Sequence, residues 1–584
     1  MVVKSKIRNK IVSSLVGIII ILSVAGLPTN LFGYNKTFTI FSVAAVALII
    51  FLLLPIICAC NGKIHKSDIL CFCTIALYLI DFRSFDNLWN IGCFCLLLLF
   101  ICLRWCKHIS FTIIFKCCLW ALFLLNLWGY LQYFKYIPSF SQFFPITGPY
   151  HNPAIFAVML SLLLGIVLNV FLLFYSLLKK NHFLLIIITI ISSFSLPLLI
   201  MTNARAAYLA LLASVSYCLY TKFVAKKRTY NPLTINSIIT FLIILFIGTL
   251  YKQKPQSADG RLLIWKISAK MIQNKPFLGY GKGGFTANYM YYQAEYMKST
   301  ASISEKRLAG STHLAFNDLL RITVEHGLIG MLIYIAIIVW ILRQPKKKDP
   351  ISITIKSLLS GIVLWGMFAY PDSTFSILTL LVMSVACYFN RATRNTCIHI
   401  SGKLSKFIVM ILYVTALFLA ERLSTKWQIY HGMHIYLQSY SAKSIARNFN
   451  VLNHFKKEMA NDIGFAHLYC QMAKMGNRDI ELISTISFLE NKFPDPSIWV
   501  MKGDYLKKNG ELEKAEAAYK LASNMVPTLQ TPRGRLAILY NEIGQKKEAI
   551  RIVQEILKEE TKVYNFDTFR LHRELKRIFK DELE

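Results

Sequence analysis

Acidic residues are scarce in this chain. Its 584 residues include 31 Asp and Glu against 65 Lys and Arg, and charged residues of both signs make up only 16%. With 55% hydrophobic residues and a mean hydropathy of +0.48, this composition excludes a soluble globular protein. A formal charge of +34 invites a nucleic-acid reading, but the basic residues cluster in short loops between apolar spans, so no nucleic-acid partner is expected. No clear small-residue cleavage site follows the apolar run after Lys4, Lys6, Arg8 and Lys10, so the N-terminus reads as an uncleaved first span. A GxxxxGK loop ending in Ser or Thr is absent, as is a GxSxG elbow, which removes the nucleotide P-loop and the nucleophile-elbow hydrolases. His and carboxylates are not at ligand spacing, so neither a metal nor another cofactor is expected. Cysteines fall mostly inside apolar spans, as at Cys58, Cys60, Cys71, Cys73, Cys93 and Cys95. They read as small buried apolar side chains rather than a disulfide framework; Cys470 alone lies in the polar C-terminal region.

What the chain has in abundance is apolar runs of about 20 residues, the length that spans a bilayer. They fall near 11–28, 37–60, 67–81, 88–105, 110–131, 152–178, 183–201, 206–224, 232–250, 327–343, 352–370, 373–390 and 404–421. The expected fold is all-α: a polytopic membrane helix bundle of about 12–13 transmembrane helices, a large loop and a C-terminal helical repeat domain. Loop charges test the count. With the basic N-terminus in the cytoplasm, the inside loops carry Lys63 and Lys66; Arg104 and Lys107; Lys179 and Lys180; Lys222, Lys226, Lys227 and Arg228; Arg343 and Lys346 to Lys348; and Arg391, Arg394, Lys403 and Lys406. The short outside loops carry at most single basic residues, among them Lys36, Arg83, Lys135 and Arg205. This asymmetry places loop 251–326 and the C-terminal region outside an inner membrane. The domains are then 1–250 (spans one to nine), 251–326 (outer loop), 327–421 (the remaining spans) and 422–584 (helical repeats).

The outer face collects the chemistry. His151 and Asn152 open the sixth span, Arg205 the eighth, and Arg261 lies early in the long loop. That loop holds 11 Lys and Arg against 5 Asp and Glu. Near its end, STHLAFNDLLRITVEHGLIG carries His313, Asn317, Arg321 and Glu325 at four-residue steps. On a continuous helix these four make one polar stripe. Spacing alone fits an amphipathic helix on the bilayer surface equally well. The glycines of KPFLGYGKGGF lack a strand-to-helix context and read as a tight surface turn.

Beyond about 422, charge rises and long apolar runs stop. Trp499, Gly503, Leu506, Ala515, Tyr519, Ala522 and Pro527 fit one tetratricopeptide repeat over 496–527. Tyr540, Ala549 and Ile556 begin a weaker second unit. Such arrays bind a protein partner or brace a neighbouring domain.

An enzyme on the outer face meets no pool of nucleotide sugars, so its donor arrives activated. A polyprenyl-pyrophosphate glycan meets that need. Arg suits the diphosphate through its planar fork, and His suits deprotonation of an acceptor hydroxyl. The residues also carry a resemblance. GRLLIW, NKPFLGYGKGGF and HLAFNDLLRITVEHGLIG, taken in order, resemble the signature region of the O-antigen ligase superfamily, which includes O-antigen ligases, O-antigen polymerases and protein O-oligosaccharyltransferases. NARAAYLA resembles its arginine motif, and GPYHNPAIFA its Asn-Pro segment. The resemblance implies a metal-independent, inverting glycosyltransferase with an undecaprenyl-pyrophosphate donor, and a lipid A core, glycan or protein acceptor. By position it implies Arg205 and Arg261 at the pyrophosphate and an outer-loop His at the acceptor. Many members read His-Asn directly; here Phe316 precedes Asn317. His313, nearly one turn back, is the preferred base and His326 the other contender. Arg321, Asn317, His151 and Asn152 are the expected substrate-binding residues. A polymerase using the same donor is the alternative enzyme, and a lipid-glycan transporter the alternative of another class.

Overall fold

The computed structural model describes residues 2–24, 36–58, 63–80, 88–106, 109–141, 143–150, 152–224, 248, 255–343, 349–371, 374–392, 397–399, 402–436, 449–561 and 564–583. The described chain is almost wholly α-helical, with one two-stranded ribbon in which Lys63–His65 (β1) pairs antiparallel with Cys397–His399 (β2). It divides into two compact units. The first comprises Met1–Leu250, Phe316–Leu319 and Ile333–Ile435; the second comprises Tyr251–Ala315, Leu320–Leu332 and Tyr436–Glu584.

The first unit is built from α1 (Val2–Val24), α2 (Lys36–Cys58), α3 (Lys66–Leu79), α4 (Leu88–Trp105), α5 (Phe111–Tyr133), α6 (Pro153–Leu178), α7 (His182–Met201) and α8 (Arg205–Leu219). After the long loop come α12 (Asp318–Arg343, shared with the second unit), α13 (Pro350–Gly366), α14 (Phe375–Ala392) and α15 (Gly402–Tyr436). Twelve of the thirteen apolar segments coincide with these helices, and 232–250, apart from residue 248, lies outside the described residues. Six helices among the described residues are long and apolar enough to cross a membrane: α4, α5, α6, α7, α12 and the Lys406–Ile429 part of α15. The chain is a multi-pass membrane protein.

Helix starts follow local chemistry. Asn181 and Asp349 accept N–H groups at the first turns of α7 and α13, and Pro153 and Pro350 stand where a missing N–H costs nothing. Inside the bundle, α6, α8 and α13 meet through small residues. A Cβ on Gly361 would lie 2.9 Å from the Ala210 carbonyl, and buried Asn169 donates to Ser214 Oγ at 3.0 Å.

Polar contacts sort the helix ends of this unit into two sets. In one, Arg104 at the end of α4 donates to Asp68 on α3 (2.5 Å) and to Asn390 on α14 (2.6 Å). Arg391 pairs with Asp349 at 2.8 Å, and the β1–β2 ribbon belongs to the same set. In the other, Asn152 at the start of α6 donates to the Tyr370 hydroxyl beyond α13 (2.7 Å), and Tyr208 on α8 donates to the Ile200 carbonyl on α7 (3.1 Å). A cavity of about 340 Å³ touching Ser110, Asn390 and Arg391 lies at the first set.

The second unit contains α9 (Pro255–Asn274), α10 (Gly284–Ser299), α11 (Ile303–Leu308), the start of α12, and α16 (Ile463–Met475), α17 (Asp479–Lys492), α18 (Pro496–Lys508), α19 (Leu512–Met525), α20 (Gln530–Glu542), α21 (Lys546–Lys558) and α22 (Phe566–Ile578). Leu263, Ile267 and Met271 recur every four residues on α9. They join Phe285, Tyr289 and Met290 of α10 in a core that also takes in Met525 and Val526. Gln293 reinforces the join by donating to the carbonyls of Gly310 (3.0 Å) and Met525 (2.5 Å). A second core runs along α18–α22. Its helices approach closely because Ala515 and Ala522 are fully buried and Gly503 has no Cβ to strike the Tyr519 ring.

Candidate functional site

The sequence singles out Arg205, Arg261, His313, Asn317, Arg321, His151 and Asn152. His151 lies outside the described residues. The others fall in both units, and each unit builds its own part.

In the first unit, Arg205 is the opening residue of α8, so it stands at the positive end of that helix, whose start has no side-chain cap. A short turn delivers it there, with Asn203 in a left-handed conformation at φ 56°. Asn152 works locally: its Oδ1 accepts from the Ala154 N–H at 2.9 Å while its Nδ2 reaches Tyr370. The ring of Phe316 meets Tyr370 edge-on at 5.6 Å.

The four-residue stripe expected on one helix is corrected by the backbone. Residues 311–317 are not helical, and α12 begins at Asp318. Phe316 has a φ of 49°, a left-handed conformation that a helical path cannot pass through, so His313 and Asn317 stand off the helix. Only Arg321 and Glu325 share its face. His313 therefore does not share a helical side with Phe316.

In the second unit Arg261 sits half-buried on α9. Arg321 and Glu325 form a buried pair, Nη1 to Oε2 at 2.5 Å. Glu325 is a hub. Its Oε1 accepts from the N–H of Gly283, the residue that caps α10, at 2.9 Å, and Lys282 Nζ lies 3.7 Å from Oε2. His326 interacts electrostatically with Glu325, Lys282 and Arg321. One carboxylate thus serves two cations and a helix N-terminus, and the group keeps one positive charge in excess.

The glycine-rich loop explains why these groups converge. α12 is broken at Gly327, with φ 69° and ψ −174°. Backbone groups freed there bond to the loop: Tyr280 N–H to Val324 O at 2.9 Å, Gly281 N–H to Glu325 O at 2.8 Å, and Leu328 N–H to Pro276 O at 2.8 Å. Side chains are excluded from this contact. A Cβ on Gly279 would sit 2.4 Å from Val324 O, and one on Gly327 would sit 1.9 Å from Phe277 O. The expected surface turn is thus a clamp on the helix break.

His313 lies elsewhere in the same unit. Its ring stacks on Phe493 with centroids 3.5 Å apart, and its Nε2 is 3.9 Å from Asp495 Oδ2. Both ring nitrogens are shielded from solvent with no hydrogen-bond partner. Asp495 also accepts from Ser311 Oγ (2.5 Å) and from the Ser497 N–H (2.9 Å). Burial pushes the Asp495 carboxyl up, and His313, Ser311 and Ser497 more than offset it, holding it well below the usual carboxylate range. Sequence reasoning missed Lys282 and Asp495 as members of these clusters. Lys282 lay inside the KPFLGYGKGGF motif and was findable; Asp495 is too far along the chain for any local signal.

Residues 189–335 match a family model described as O-antigen ligase. That stretch contains Arg205, Arg261, His313, Asn317, Arg321, Glu325 and the glycine-rich loop. No curated protein matches the chain. Residues 189–335 of this helical, multi-pass chain thus carry an O-antigen ligase family domain.

Proposed function

We propose that the chain is a glycosyltransferase of the O-antigen ligase type. It moves a glycan from an undecaprenyl-pyrophosphate donor to a hydroxyl of a lipid A core or a protein, on the periplasmic face of the inner membrane. The observation that carries this reading is that one matched stretch, 189–335, contains Arg205, Arg261, His313, Arg321 and His326 together.

In the reaction the acceptor oxygen attacks the anomeric carbon, the bond from that carbon to the pyrophosphate breaks, and the centre inverts, without a metal ion. Negative charge develops on the leaving diphosphate. Arg205 at a helix N-terminus and Arg261 neutralise it, each making charge-assisted hydrogen bonds. The excess positive charge around Glu325, to which Arg321 and Lys282 contribute, suits an anion nearby. His313 takes the acceptor proton, and His326, beside the same cations, is the second imidazole to separate from it. Asn317, His151 and Asn152 shape the substrate site. The N-terminus is cytoplasmic and the C-terminal helices periplasmic; the two sets of contacting helix ends support this, since each set joins ends that the loop charges assign to one side. The pairs α18–α19 and α20–α21 are read as tetratricopeptide-like repeats that receive a protein partner or a large acceptor.

The test is transfer in proteoliposomes from a polyprenyl-pyrophosphate glycan to candidate acceptors. Arg205→Ala and Arg261→Ala are expected to lower transfer by roughly 10²–10³-fold each. Full transfer by both, and by His313→Ala, defeats the mechanism; a silent His313→Ala with an inactive His326→Ala moves the base to His326. Products identify the member: a glycan on lipid A or protein for a ligase, lengthened lipid-linked glycan for a polymerase, and translocation with no new bond for a transporter.

A further inference from the structure

The turn that clamps the helix break presents two large apolar side chains outward. Phe277 is 67% exposed and Leu278 77% exposed. They are neighbours of another exposed apolar set. Leu328, Ile329 and Leu332 on α12 are 38%, 48% and 60% exposed, and Leu328 donates its N–H to Pro276, directly before Phe277. These α12 residues belong to a helix long and apolar enough to cross a membrane, so their exposed apolar faces are the ones such a span would turn to lipid. Hydrogen bonding makes the turn continuous with that face.

We infer that the Pro276–Leu278 turn is a bilayer anchor, with Phe277 and Leu278 inserted among the acyl chains next to α12. Three observations carry it. First, the patch is contiguous with the exposed apolar face of α12. Second, the turn is rigid: three backbone hydrogen bonds and the close approaches at Gly279 and Gly327 fix its shape, so the apolar tips are presented rather than left to collapse inward. Third, the polar groups behind it are layered as at a membrane interface. Lys275 Nζ lies 4.6 Å from the centre of the Tyr280 ring, and the Tyr280 and Tyr292 hydroxyls share a hydrogen bond of 2.6 Å, with Asn274 donating to Tyr292 at 2.7 Å. An apolar tip backed by Tyr and Lys is the arrangement of interfacial anchors. An exposed apolar patch in water has no such reason to sit there.

This inference rests on the geometry of the second unit and not on the glycosyltransferase reading. The full chain is reconstituted in phosphatidylcholine vesicles with Phe277→Cys, Leu278→Cys or Ser299→Cys carrying an environment-sensitive fluorophore, and the parent protein labelled in parallel supplies the background. Emission from 277 and 278 is expected to be blue-shifted, to lose most of its intensity to lipids spin-labelled on the acyl chain, and to resist iodide, whereas 299 shows the reverse. Iodide quenching at 277 and 278 without lipid quenching overturns the anchor. Blue-shifted emission untouched by spin-labelled lipid overturns it as well, because the cover is then protein or a bound polyprenyl chain. Glycan transfer by the same labelled variants reports separately on the proposed function.

Discussion

At the scale of the residue, two glycines separate two costs. Gly283, with φ 76° and ψ 0°, is left-handed, which costs an L side chain about 1–2 kcal/mol, whereas Gly327, with φ 69° and ψ −174°, lies in a region essentially restricted to glycine. Nothing lies within 4 Å of a Cβ at Gly283, while one at Gly327 overlaps the Phe277 carbonyl. Gly283→Ala should therefore lower the melting temperature of the detergent-solubilised protein slightly, and Gly327→Ala should lose most of the folded yield; equal effects would mean the clamp is not formed. Asp495 gives a pH prediction. Its folded pKa lies below the unfolded value of about 3.9, so its stabilisation is complete above that value and fades as pH falls below it. Asp495→Asn should melt lower than the parent at neutral pH, with the gap narrowing on acidification below about pH 4. Glu305 follows the same sign. Burial raises its carboxyl, but Lys266, Ser302 and Tyr296 bring it down to about 2. The candidate residues stood out in the sequence because Arg and His are conspicuous where loops meet apolar segments. What no residue pattern revealed was the conformation of Phe316, since a single left-handed residue leaves the four-residue spacing of STHLAFNDLLRITVEHGLIG intact.

Elements were the most readable level, because a bilayer allows an apolar run little besides a helix. Even the short segment near 67–81, flanked by Asp68 and Asp81, is a helix over Lys66–Leu79. Asp68 is there to meet Arg104, whose side chain is only 3% exposed. Loop charge alone assigns Arg104 a topological role; the structure adds a structural one, tying α3, α4 and α14 at their ends. Arg104→Ala leaves Asp68, whose side chain is 13% exposed, without this cation, and breaking a largely buried pair costs up to about 3–5 kcal/mol. Heat-induced aggregation of purified Arg104→Ala should begin well below that of the parent, and Arg104→Ala with Asp68→Ala should recover part of the loss. An unchanged single variant would show that the network carries no stability. The long loop was less legible. Its helices α9 and α10 are amphipathic and short of apolar runs, and their buried faces are completed by Met525 and Val526, which no local reading connects to them.

For the whole molecule, the orientation of the C-terminal helices is the claim most open to direct measurement. Cys470 is a poor reporter: it is fully buried, and burial pushes its thiol up to about 12. An impermeant maleimide applied from the periplasmic side should label Glu513→Cys, an exposed position on α19, and leave the parent unlabelled in this region; labelling of Glu513→Cys only after the inner membrane is opened would reverse the orientation. Which apolar segments form helices was legible from composition, whereas the way 251–315 and 436–584 share one compact unit was not, because their contacts join residues hundreds of positions apart. The break in α12 has a consequence at this scale. With Gly327 pinned by the glycine-rich loop, the part of α12 that continues to Arg343 has a fixed starting point. Its hydrophobic length is set at about 25 Å by the 1.5 Å rise per residue, near the lower limit for a bilayer. The loop is therefore a ruler: it fixes where the helix segment can begin, and a span this short is met by a thinner bilayer or by snorkelling flanking residues.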